Sequence, residues 1–247
     1  MSEDIKKIHS VKYFVTPQDV DFTRQITSIS LGNYILNTAG AAASLNNFGL
    51  EHLQEENLAW VVSRLAVEMD SYPAQYEKFT IKTWVENYGK LFTTRNFKIF
   101  DKNRSVIGRA CSIWAVINLT TRKPYNLQNK LEWNRFATGI EAGIDKPIKI
   151  DEVNTDLESI ATHTIAYSDI DFNQHTNSMK YLQWLADTFN LERFNLKRVA
   201  RFDVNYIHEA LFGDKVLIFR EEQGNKTLCS IKDSENKSLC KIQLLWS

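Results

Sequence analysis

The chain is poor in cysteine, proline and glycine, with three, four and nine of these residues among 247. Cys111, Cys229 and Cys240 are an odd number without CxxC spacing, which argues against a disulfide framework or a cysteine-based zinc site. A surplus of charge of one sign is also missing, since 30 basic residues balance 30 acidic ones. This balance argues against a dedicated nucleic-acid binder, which needs a basic surface for its phosphate contacts.

Long hydrophobic runs are absent as well. No apolar stretch approaches the length of a membrane span, and the N-terminal segment MSEDIKKIHS is charged where a signal peptide has its apolar core. A hydrophobic content of 43% and a charged content of 24% are typical of an ordinary globular protein. We therefore expect a cytoplasmic protein without a membrane span.

A weak internal repeat runs through the chain. Residues 63–85 align without a gap with residues 200–222, so that Arg64 matches Arg201 at a separation of 137 residues. Further on, Asp101 and Trp114 match residues that lie 132 positions later, and Asp21-Phe22 matches a pair that lies 150 positions later. The matching residues keep the same order along the chain, which indicates two copies of one structural unit.

Each copy is predicted to contain a short strand, a helix and several longer strands. Runs rich in Val, Ile, Thr, Phe and Trp, separated by turn residues, favour antiparallel hairpins. The first copy has its helix near 30–47, with strands near 11–16, 58–70, 77–88, 91–101 and 105–119. The second has its helix near 178–192, with strands near 161–167, 198–209, 214–222, 226–232 and 238–246.

The second predicted helix determines the expected fold class. It is apolar over so much of its circumference that it needs more than one wall to bury against, and an antiparallel sheet wrapped around it satisfies that need. We therefore expect an α+β protein with two helix-in-sheet domains, at residues 1–130 and 157–247. Residues 131–156, with weaker periodicity, are predicted to be the linker.

The segment just before this helix carries the candidate chemistry. Asp171, Asn173 and His175 stand within five residues, and Asn177 and Ser178 are candidate helix N-caps. The amides of a helix start suit a developing oxyanion. Considered alone, the cluster is equally compatible with an ordinary loop, because Asp and Asn side chains also mimic turns.

With these residues in view, the chain resembles the acyl-acyl carrier protein thioesterases of plant plastids, in a compact bacterial form. The resemblance covers nearly the whole chain and is carried by Asn57-Leu-Ala-Trp-Val-Val-Ser-Arg64, Tyr72-Pro73, Thr83-Trp84-Val85, Arg109-Ala-Cys-Ser-Ile-Trp114, Asp171-Phe-Asn-Gln-His-Thr-Asn177, Lys180-Tyr181 and Tyr206-Ile-His-Glu209. It implies two tandem hotdog domains, each an antiparallel sheet around a central helix. The chain has no plastid-targeting extension, so a plastid location is not implied.

The resemblance also implies a function and a set of site residues. The function is hydrolysis of acyl-carrier-protein thioesters to free fatty acids, in fatty acid biosynthesis, with a carrier protein bearing an acyl-phosphopantetheine as partner. The family's catalytic positions fall on Asp171, Asn173, His175 and Glu209. We expect Glu209 to be the general base for water, His175 to share the water or polarise the carbonyl, Asn173 to orient the water or substrate, and Asp171 to fix the loop.

Two departures sharpen this expectation. Plant members often have a cysteine after the glutamate, where this chain has Ala210, so a covalent acyl-cysteine route is disfavoured. Opposite Asn173, His175 and Glu209, the first copy has Thr23, Gln25 and Tyr72. The second domain is therefore expected to catalyse and the first to build the acyl pocket.

Strand alternation raises a difficulty for the proposed base. It places Glu209 on a polar face with Arg201, Asp203 and Asn205, where a carboxylate is usually just solvated, unless a bulge or a second domain intervenes. His208, on the opposite face, is the alternative base. Because hydrolysis needs no metal, we expect no metal or other cofactor, although Asp171, His175 and Glu209 are of the types that bind zinc.

Other residues receive minor expectations. His9, His52 and His163 fit no constellation, and Arg64 and Arg201 are expected to form structural ion pairs. Gly40 lies in a run of small residues that either leaves room for an acyl chain or permits close helix packing. The candidate contacts to an anionic carrier protein are Arg95, Lys98, Arg109, Arg122 and Lys123.

Two alternative functions stay open, an acyl-CoA thioesterase with the same site and a non-catalytic acyl-thioester-binding protein. The sequence does not set the chain length or saturation of the acyl group. A homodimer beyond the two fused domains also stays open.

Overall fold

The chain divides into two compact units, one ending at Pro147 and the other beginning at Ile148. The computed structural model describes residues 6–154 and 157–247. Residues 1–5 of the predicted N-terminal domain and 155–156 of the predicted linker lie outside the described residues. The division between the units falls within the segment predicted as the linker.

The N-terminal unit is a five-stranded antiparallel sheet with one long helix packed on it. Its strands lie in the order β1-β3-β4-β5-β2, and the helix α1 contacts β1 and β3. In chain order the elements are β1 (Ile8–Phe14), α1 (Ser28–Leu45), α2 (Leu50–Glu55), β2 (Leu58–Met69), β3 (Lys78–Tyr88), β4 (Phe92–Phe100) and β5 (Val106–Asn118). Helix α1 begins where the side chain of Thr27 accepts a hydrogen bond from the Ser30 amide.

Part of the predicted linker belongs to the core of this unit. Leu127–Phe136 forms two short 3-10 helices separated by a kink at Lys130. Trp133 and Phe136 in this segment are buried against Phe48 at ring distances of 5.7 and 5.0 Å. Buried aromatic rings are large contributors to core stability. The N-terminal unit therefore extends structurally beyond residue 130.

The C-terminal unit repeats the same plan in shorter form. Its strands lie in the order β7-β10-β9-β8-β6, and the pairs are antiparallel. In chain order the elements are β6 (Ala161–Thr164), α3 (Lys180–Ala186), α4 (Leu191–Leu196), β7 (Val199–Tyr206), β8 (Lys215–Gln223), β9 (Lys226–Asp233) and β10 (Ser238–Trp246). The predicted α+β plan of a helix against an antiparallel sheet is present in each unit.

The single helix predicted at 178–192 is wrong in its extent. Helix α3 ends at Ala186, and a separate helix, α4, begins after Asn190, whose side chain accepts a hydrogen bond from the Arg193 amide. An Asn side chain that caps a new helix competes with continuation of the old one. The predicted apolar stripe is nevertheless buried, with Leu182 and Leu185 at 2% and 0% exposure.

Strand β7 ends earlier than predicted, and this removes the difficulty raised for Glu209. The strand stops at Tyr206, after which the amides of Ile207 and His208 both donate to the carbonyl of Leu239. Alternation of side chains requires a regular strand, so it does not apply at residue 209. The predicted strand placement of Glu209 was therefore wrong.

The polar face of β7 is buried, where the sequence suggested a solvated one. Arg201 donates to both carboxylate oxygens of Asp203, at 2.7 and 3.0 Å, which confirms the ion pair expected for this arginine. The start of the C-terminal unit covers this face, because the side-chain amide of Asn205 donates to the carbonyl of Ile148 and its oxygen accepts from the amide of Ile150. Buried polar groups are thereby paired, as a stable fold requires.

The internal repeat is visible in the element boundaries. Strand β3 begins at Lys78 and β8 at Lys215, while β5 begins at Val106 and β10 at Ser238, which reproduces the separations found in the sequence. The turns agree in detail, since Asp101 and Asp233 each accept amide hydrogen bonds from the residues two and four positions later. The two units are therefore built to one pattern of backbone hydrogen bonds.

Two features bear on the composition arguments. Cys111, Cys229 and Cys240 are all free and buried. Among the helices of the described residues, none has the length and apolar composition needed to span a bilayer.

Candidate active site

The loop from Asp171 to His175 is a tight hairpin held by the Asp171 side chain. Its carboxylate oxygen Oδ1 accepts hydrogen bonds from the amides of Asn173 and His175 at 2.8 and 3.3 Å. The Asp171 amide donates to the carbonyl of His175, and Gln174 adopts a positive φ of 65°. This is the turn-forming chemistry of aspartate, and it fixes where the side chains of residues 173 and 175 begin.

The N-terminal unit contains the same hairpin with different side chains. Asp21 accepts from the amide and hydroxyl of Thr23, its own amide donates to Gln25, and Arg24 has a positive φ of 61°. The backbone frame of the loop is therefore common to both units. Only the copy in the C-terminal unit carries an imidazole on it.

His175 and Glu209 are brought together although 34 residues separate them. The next residue of the loop, Thr176, donates from both its amide and its hydroxyl to the carbonyl of Ala210, at 3.2 and 2.8 Å. These bonds hold the segment after β7 against the loop. As a result, Nε2 of His175 lies 3.7 Å from Oε2 of Glu209, with side chains that are 32% and 42% exposed.

That separation is longer than a direct hydrogen bond. Catalytic contacts are often loose in a ligand-free site and tighten when substrate binds. Asn173 is exposed on the same hairpin. Within the part of the chain that the structure describes, its side chain makes no hydrogen bond to His175 or Glu209. The hairpin and the segment after β7 thus present the imidazole of His175 and the carboxylate of Glu209 to water, and the carboxamide of Asn173 lies on the same hairpin as the imidazole.

The start of helix α3 differs from the expected oxyanion site. The Asn177 amide donates to the carbonyl of Asp169, and the amides of Met179 and Lys180 donate to the side chain and carbonyl of Asn177. Because α3 begins at Lys180 and its N-cap residue is Met179, without a side-chain cap, the prediction that Asn177 and Ser178 are N-caps was wrong. The amides that Asn177 engages are not available to a substrate, and α3 is only 7 residues long.

Sequence reasoning missed a charged cluster beneath the loop. The carboxylate of Asp169 lies 2.7 Å from Nε2 of His163, 3.5 Å from Nζ of Lys180 and 2.9 Å from the amide nitrogen of Ala166. Burial opposes ionisation of Asp169, but the Ala166 amide, the His163 ring and the Lys180 ammonium outweigh it and hold the pKa of Asp169 below the usual range. The expectation that His163 belongs to no constellation was wrong.

A signal for this cluster was present in the repeat. Asp19 stands at the equivalent position of the first unit and accepts from the amide and hydroxyl of Thr16. Its backbone carbonyl accepts from Thr27, as that of Asp169 accepts from Asn177. The aspartate two positions before each hairpin could therefore have been identified as the residue that fastens its ends.

The buried cysteines offer no nucleophile to this site. Burial raises the pKa of the Cys229 and Cys240 thiols, whereas a nucleophilic cysteine needs a lowered pKa. Burial, with Cys240 and Glu209 nearby, also raises the pKa of Tyr181, so that its hydroxyl stays protonated. In residues 6–154 and 157–247 no three His, Cys, Asp or Glu side chains are placed to hold a metal ion.

One cavity of the C-terminal unit lies beside His163 rather than at the hairpin. It has a volume of about 300 Å³, and its walls include Trp184, Asp187 and Arg220. Neither His175 nor Glu209 lines it. The ring of His163 lies 4.6 Å from that of Trp184, so this cavity adjoins the Asp169 cluster.

The proposed basic contacts to a carrier protein divide into two groups. Arg95 is only 6% exposed, so its assignment as a surface contact was wrong. Arg109 lies at the surface in an ion pair with Asp70 at 3.2 Å. Lys98 is half-buried, and Arg122 and Lys123 are exposed.

Comparison with family models matches both halves of the chain to one family. Residues 6–132 match the acyl-ACP thioesterase N-terminal domain, and residues 153–247 match the acyl-ACP thioesterase C-terminal domain. A chloroplastic acyl-[acyl-carrier-protein] hydrolase of Cuphea viscosissima is 30% identical over 177 residues, which cover 68% of this chain and 43% of that protein. The chain thus spans less than half the length of this plant relative.

Solved structures agree over nearly the full length. The crystal structure of an acyl-ACP thioesterase from Bacteroides thetaiotaomicron superposes with a TM-score of 0.91 at 39% identity, covering 98% of each chain. The 12:0-ACP thioesterase from Umbellularia californica superposes with a TM-score of 0.86 at 19% identity, again covering 98% of each chain. The expected α+β fold of tandem hotdog domains is confirmed.

Proposed function

The chain belongs to the acyl-ACP thioesterase family, and on that premise we propose that it hydrolyses acyl-acyl carrier protein thioesters to a free fatty acid and holo-carrier protein. The observation that carries this proposal is the 3.7 Å approach of Nε2 of His175, on the hairpin, to Oε2 of Glu209, on the segment after β7. An imidazole and a carboxylate that share access to water are the groups that a metal-free hydrolysis needs.

Glu209 is the general base in this mechanism. It takes a proton from a water molecule while the water oxygen attacks the thioester carbonyl carbon, and the carbon–sulfur bond then breaks. A thiol has a pKa of about 8.5, so the departing thiolate needs little help from an acid before it takes up a proton. The demanding step is attack, where His175 shares the water or polarises the carbonyl.

The remaining site residues position these two groups. Asp171 holds the hairpin through the amides of Asn173 and His175, which sets the direction of the imidazole. Asn173 orients water or substrate from the exposed side of the same hairpin. Thr176 fastens the segment that carries Glu209 through the carbonyl of Ala210.

The C-terminal unit is the catalytic domain in this proposal, and the N-terminal unit builds the acyl pocket. The equivalent hairpin of the N-terminal unit has Thr23 and Gln25 in place of Asn173 and His175, and Tyr72 corresponds to Glu209. The hydroxyl of Tyr72 lies 3.1 Å from that of Ser28. None of these groups replaces the base or the imidazole.

The partner is a carrier protein with an acyl-phosphopantetheine arm. Phe172, Leu211 and Phe212 are 79%, 49% and 68% exposed around the hairpin and the Glu209 segment, and large exposed apolar groups of this kind mark interaction surfaces. Lys98, Arg109, Arg122 and Lys123 remain the proposed basic contacts. A cytoplasmic location, a role in fatty acid biosynthesis and a homodimer stay predictions, and the Cuphea relative is named as chloroplastic.

The test is release of free thiol from a chain-length panel of acyl-carrier-protein thioesters. We expect Glu209→Gln to lower kcat by about a hundredfold or more, because it keeps the shape of the side chain but removes the base. Glu235→Gln, in the exposed β9–β10 turn, is the matched control and keeps wild-type turnover.

Three outcomes decide between the functions. Thiol release that Glu209→Gln retains would exclude this residue as the base. Faster release from matched acyl-CoA thioesters would move the substrate from carrier protein to coenzyme A. A folded wild-type chain that binds acyl thioesters without releasing thiol would be a binding protein, contrary to the proposal.

A further inference from the structure

The cavity of the C-terminal unit lies where the edge strand β6 meets the end of helix α3. Its volume is about 300 Å³. Ala161 of β6 and Ile218 of β8 are paired across the sheet, and both line it. His163, Trp184 and the residues that follow α3 form further parts of its walls. A concave site with apolar surface and a few charged groups is typical of small-molecule binding.

At the equivalent place of the N-terminal unit, a tyrosine occupies this space. Tyr13 and Tyr34 stand 150 positions before His163 and Trp184. The two pairs of rings have nearly the same separation, 4.5 and 4.6 Å. The Tyr13 hydroxyl reaches across to the hydroxyl of Thr38 at 2.8 Å. A histidine side chain is shorter than a tyrosine, so the C-terminal unit leaves part of this space open.

The two units also differ in charge at this place. Asp187 and Arg220 both line the cavity. The positions that match them in the repeat, 150 and 137 residues earlier, hold the uncharged Asn37 and Thr83. The cavity and a charge of each sign therefore occur together in one unit, which favours a binding site over a simple packing defect.

The chain does not fully balance the negative charge of Asp187. Within residues 6–154 and 157–247 its carboxylate makes no hydrogen bond and no ion pair. It interacts at longer range with His163 and Lys180, but both of these lie against Asp169, at 2.7 and 3.5 Å. Two carboxylates therefore share the single ammonium of Lys180. Asp187 is exposed, so a ligand can reach it.

Arg220 has the opposite imbalance. Glu222 lies 3.5 Å from Nε of Arg220 and 2.8 Å from Nη2 of Arg193, so one carboxylate serves two guanidinium groups. Nη1 of Arg220 donates to the carbonyl and the hydroxyl of Thr188, both at 2.8 Å. Its Nη2 makes no hydrogen bond in the part of the chain that the structure describes. Arg220 therefore keeps donors and positive charge for a further carboxylate.

We propose that the C-terminal unit binds a small zwitterion of the α-amino acid class in this cavity. The ammonium group of the ligand lies at Asp187, its carboxylate lies at Arg220, and an apolar side chain packs against Ala161 and Ile218. The ligand thus brings to each charged wall the charge that the chain leaves unbalanced there, and a carboxylate fits the planar donors of a guanidinium. Neither His175 nor Glu209 lines the cavity, so this inference does not depend on thioester hydrolysis.

The experiment measures binding to the full-length chain by calorimetry and by the shift in Tm. Leucine and phenylalanine are the probes. Each is compared with the acid that lacks its amino group, 4-methylpentanoate or 3-phenylpropanoate, and with the amine that lacks its carboxylate, 3-methylbutylamine or phenethylamine. We expect at least one amino acid to bind and to raise the Tm, because a ligand that binds only the folded state stabilises it. Each singly charged counterpart should bind at least about tenfold more weakly.

Substitutions locate the site. Asp187→Asn should weaken amino acid binding at least about tenfold, although the ligand-free variant keeps at least the wild-type Tm at neutral pH, because the unbalanced charge is gone. Arg220→Gln should weaken binding by a similar factor, and Asp187→Asn keeps the test valid if Arg220→Gln fails to fold. Asp151→Asn is the matched control, since Asp151 is an exposed carboxylate of the same unit that does not line the cavity. This variant should bind as the wild type does.

Three results would overturn the inference. The first is that neither amino acid binds to the folded wild-type chain. The second is that an acid or an amine binds as tightly as its amino acid, which would mean that the two charged walls do not act together. The third is that binding is unchanged in Asp187→Asn, which would assign it to another site.

Discussion

Asp169 and Asp187 of the C-terminal unit lie near the same two side chains, His163 and Lys180, yet their carboxyl pKa values move in opposite directions. Both interact with His163 and Lys180, but only Asp169 also accepts an amide hydrogen bond, from Ala166, and its pKa is lowered. Asp187 stands at the C-terminal end of helix α3, and burial raises its pKa. The negative end of the helix dipole acts in the same direction on Asp187.

This contrast predicts opposite effects of two conservative substitutions. The folded-state pKa of Asp169 lies below its ordinary value of 3.8, so its charge stabilises the fold above pH 3.8 and this contribution disappears as the pH falls through the folded-state pKa. We expect Asp169→Asn to have a lower Tm than the wild type at neutral pH, and the difference in Tm should become smaller in acid. Thermal unfolding of both proteins from neutral pH into the acid range measures this difference.

Asp187→Asn is the matched control with the reverse sign. Its folded-state pKa lies above 3.8, so ionisation destabilises the fold above that folded-state pKa, and the penalty is absent below pH 3.8. Asp187→Asn should therefore have the higher Tm at neutral pH. A Tm difference from the wild type that has the same sign for both variants, or that does not change with pH, would contradict the opposite pKa shifts of Asp169 and Asp187.

Single residues were where sequence reasoning was least reliable. The hairpin that brings Asp171, Asn173 and His175 together follows from a local pattern, since a five-residue spacing survives folding, and the catalytic role of these residues stays a prediction. The burial of Arg95 was not, because a cation on a strand has the same pattern whether solvent or a helix covers it. The position of Glu209 depended on where β7 ends, and strand ends are set by hydrogen bonds to a distant segment around Leu239.

At the scale of the element, helix α1 contains a glycine with no evident packing role. A Cβ added at Gly40 would have no heavy atom within 4 Å, and the residue is exposed. The small residues that are buried near it in the helix are Thr38, Ala39, Ala42 and Ala43. Close packing therefore accounts for part of the small-residue run but not for Gly40.

We predict that Gly40→Ala stabilises the protein by about 0.5–1 kcal/mol, because alanine loses less backbone entropy in a helix. Denaturant unfolding measures the change. Gly108→Ala, in strand β5, is the control of opposite sign, since its Cβ would clash with the buried Met69 side chain and lie 3.0 Å from the backbone carbonyl oxygen of Glu68. A loss of stability at Gly40 would mean that the exposed face of α1 needs the glycine.

Strands were predicted more accurately than helices for a physical reason. Hydrophobic alternation and turn residues delimit a hairpin locally, so the starts of β3, β4, β5, β8, β9 and β10 agree with the predicted ranges to about one residue. The division of residues 178–192 into α3 and α4 depends on Asn190 as a cap, and on apolar contacts that continue across the break. The apolar periodicity of the sequence continues between α3 and α4, although the helix is interrupted there.

At the scale of the whole molecule, the duplicated hairpin predicts where turnover is sensitive. His175→Ala should lower kcat by about a hundredfold or more, since in the proposed mechanism the imidazole contacts the reacting water or carbonyl. Gln25→Ala, at the equivalent place in the N-terminal unit, should stay close to wild-type kcat. Thiol release under saturating substrate measures both, and an equal loss in the two variants would contradict the assignment of catalysis to one unit.

The internal repeat was the most useful whole-chain signal in the sequence. It predicted two units of similar plan from few identities, because the shared positions, such as Asp101 and Asp233, hold turns that both units need. It did not predict that Trp133 and Phe136 join the N-terminal core, since that segment has no counterpart in the other copy. The repeat therefore predicts the elements that the two units share, but it does not predict segments that only one unit has, such as the one that contains Trp133 and Phe136.

The hairpin around Asp21 keeps the backbone of its counterpart around Asp171 without its reactive side chains. In each hairpin the backbone frame depends on an aspartate, Asp21 or Asp171, that accepts an amide hydrogen bond. It also depends on a residue with a positive φ, which is Arg24 in one hairpin and Gln174 in the other. Both hairpins keep this frame although residues 23 and 25 differ in type from residues 173 and 175. Protein engineers can treat the N-terminal hairpin as a prebuilt acceptor for grafted chemistry, beginning with Thr23→Asn and Gln25→His.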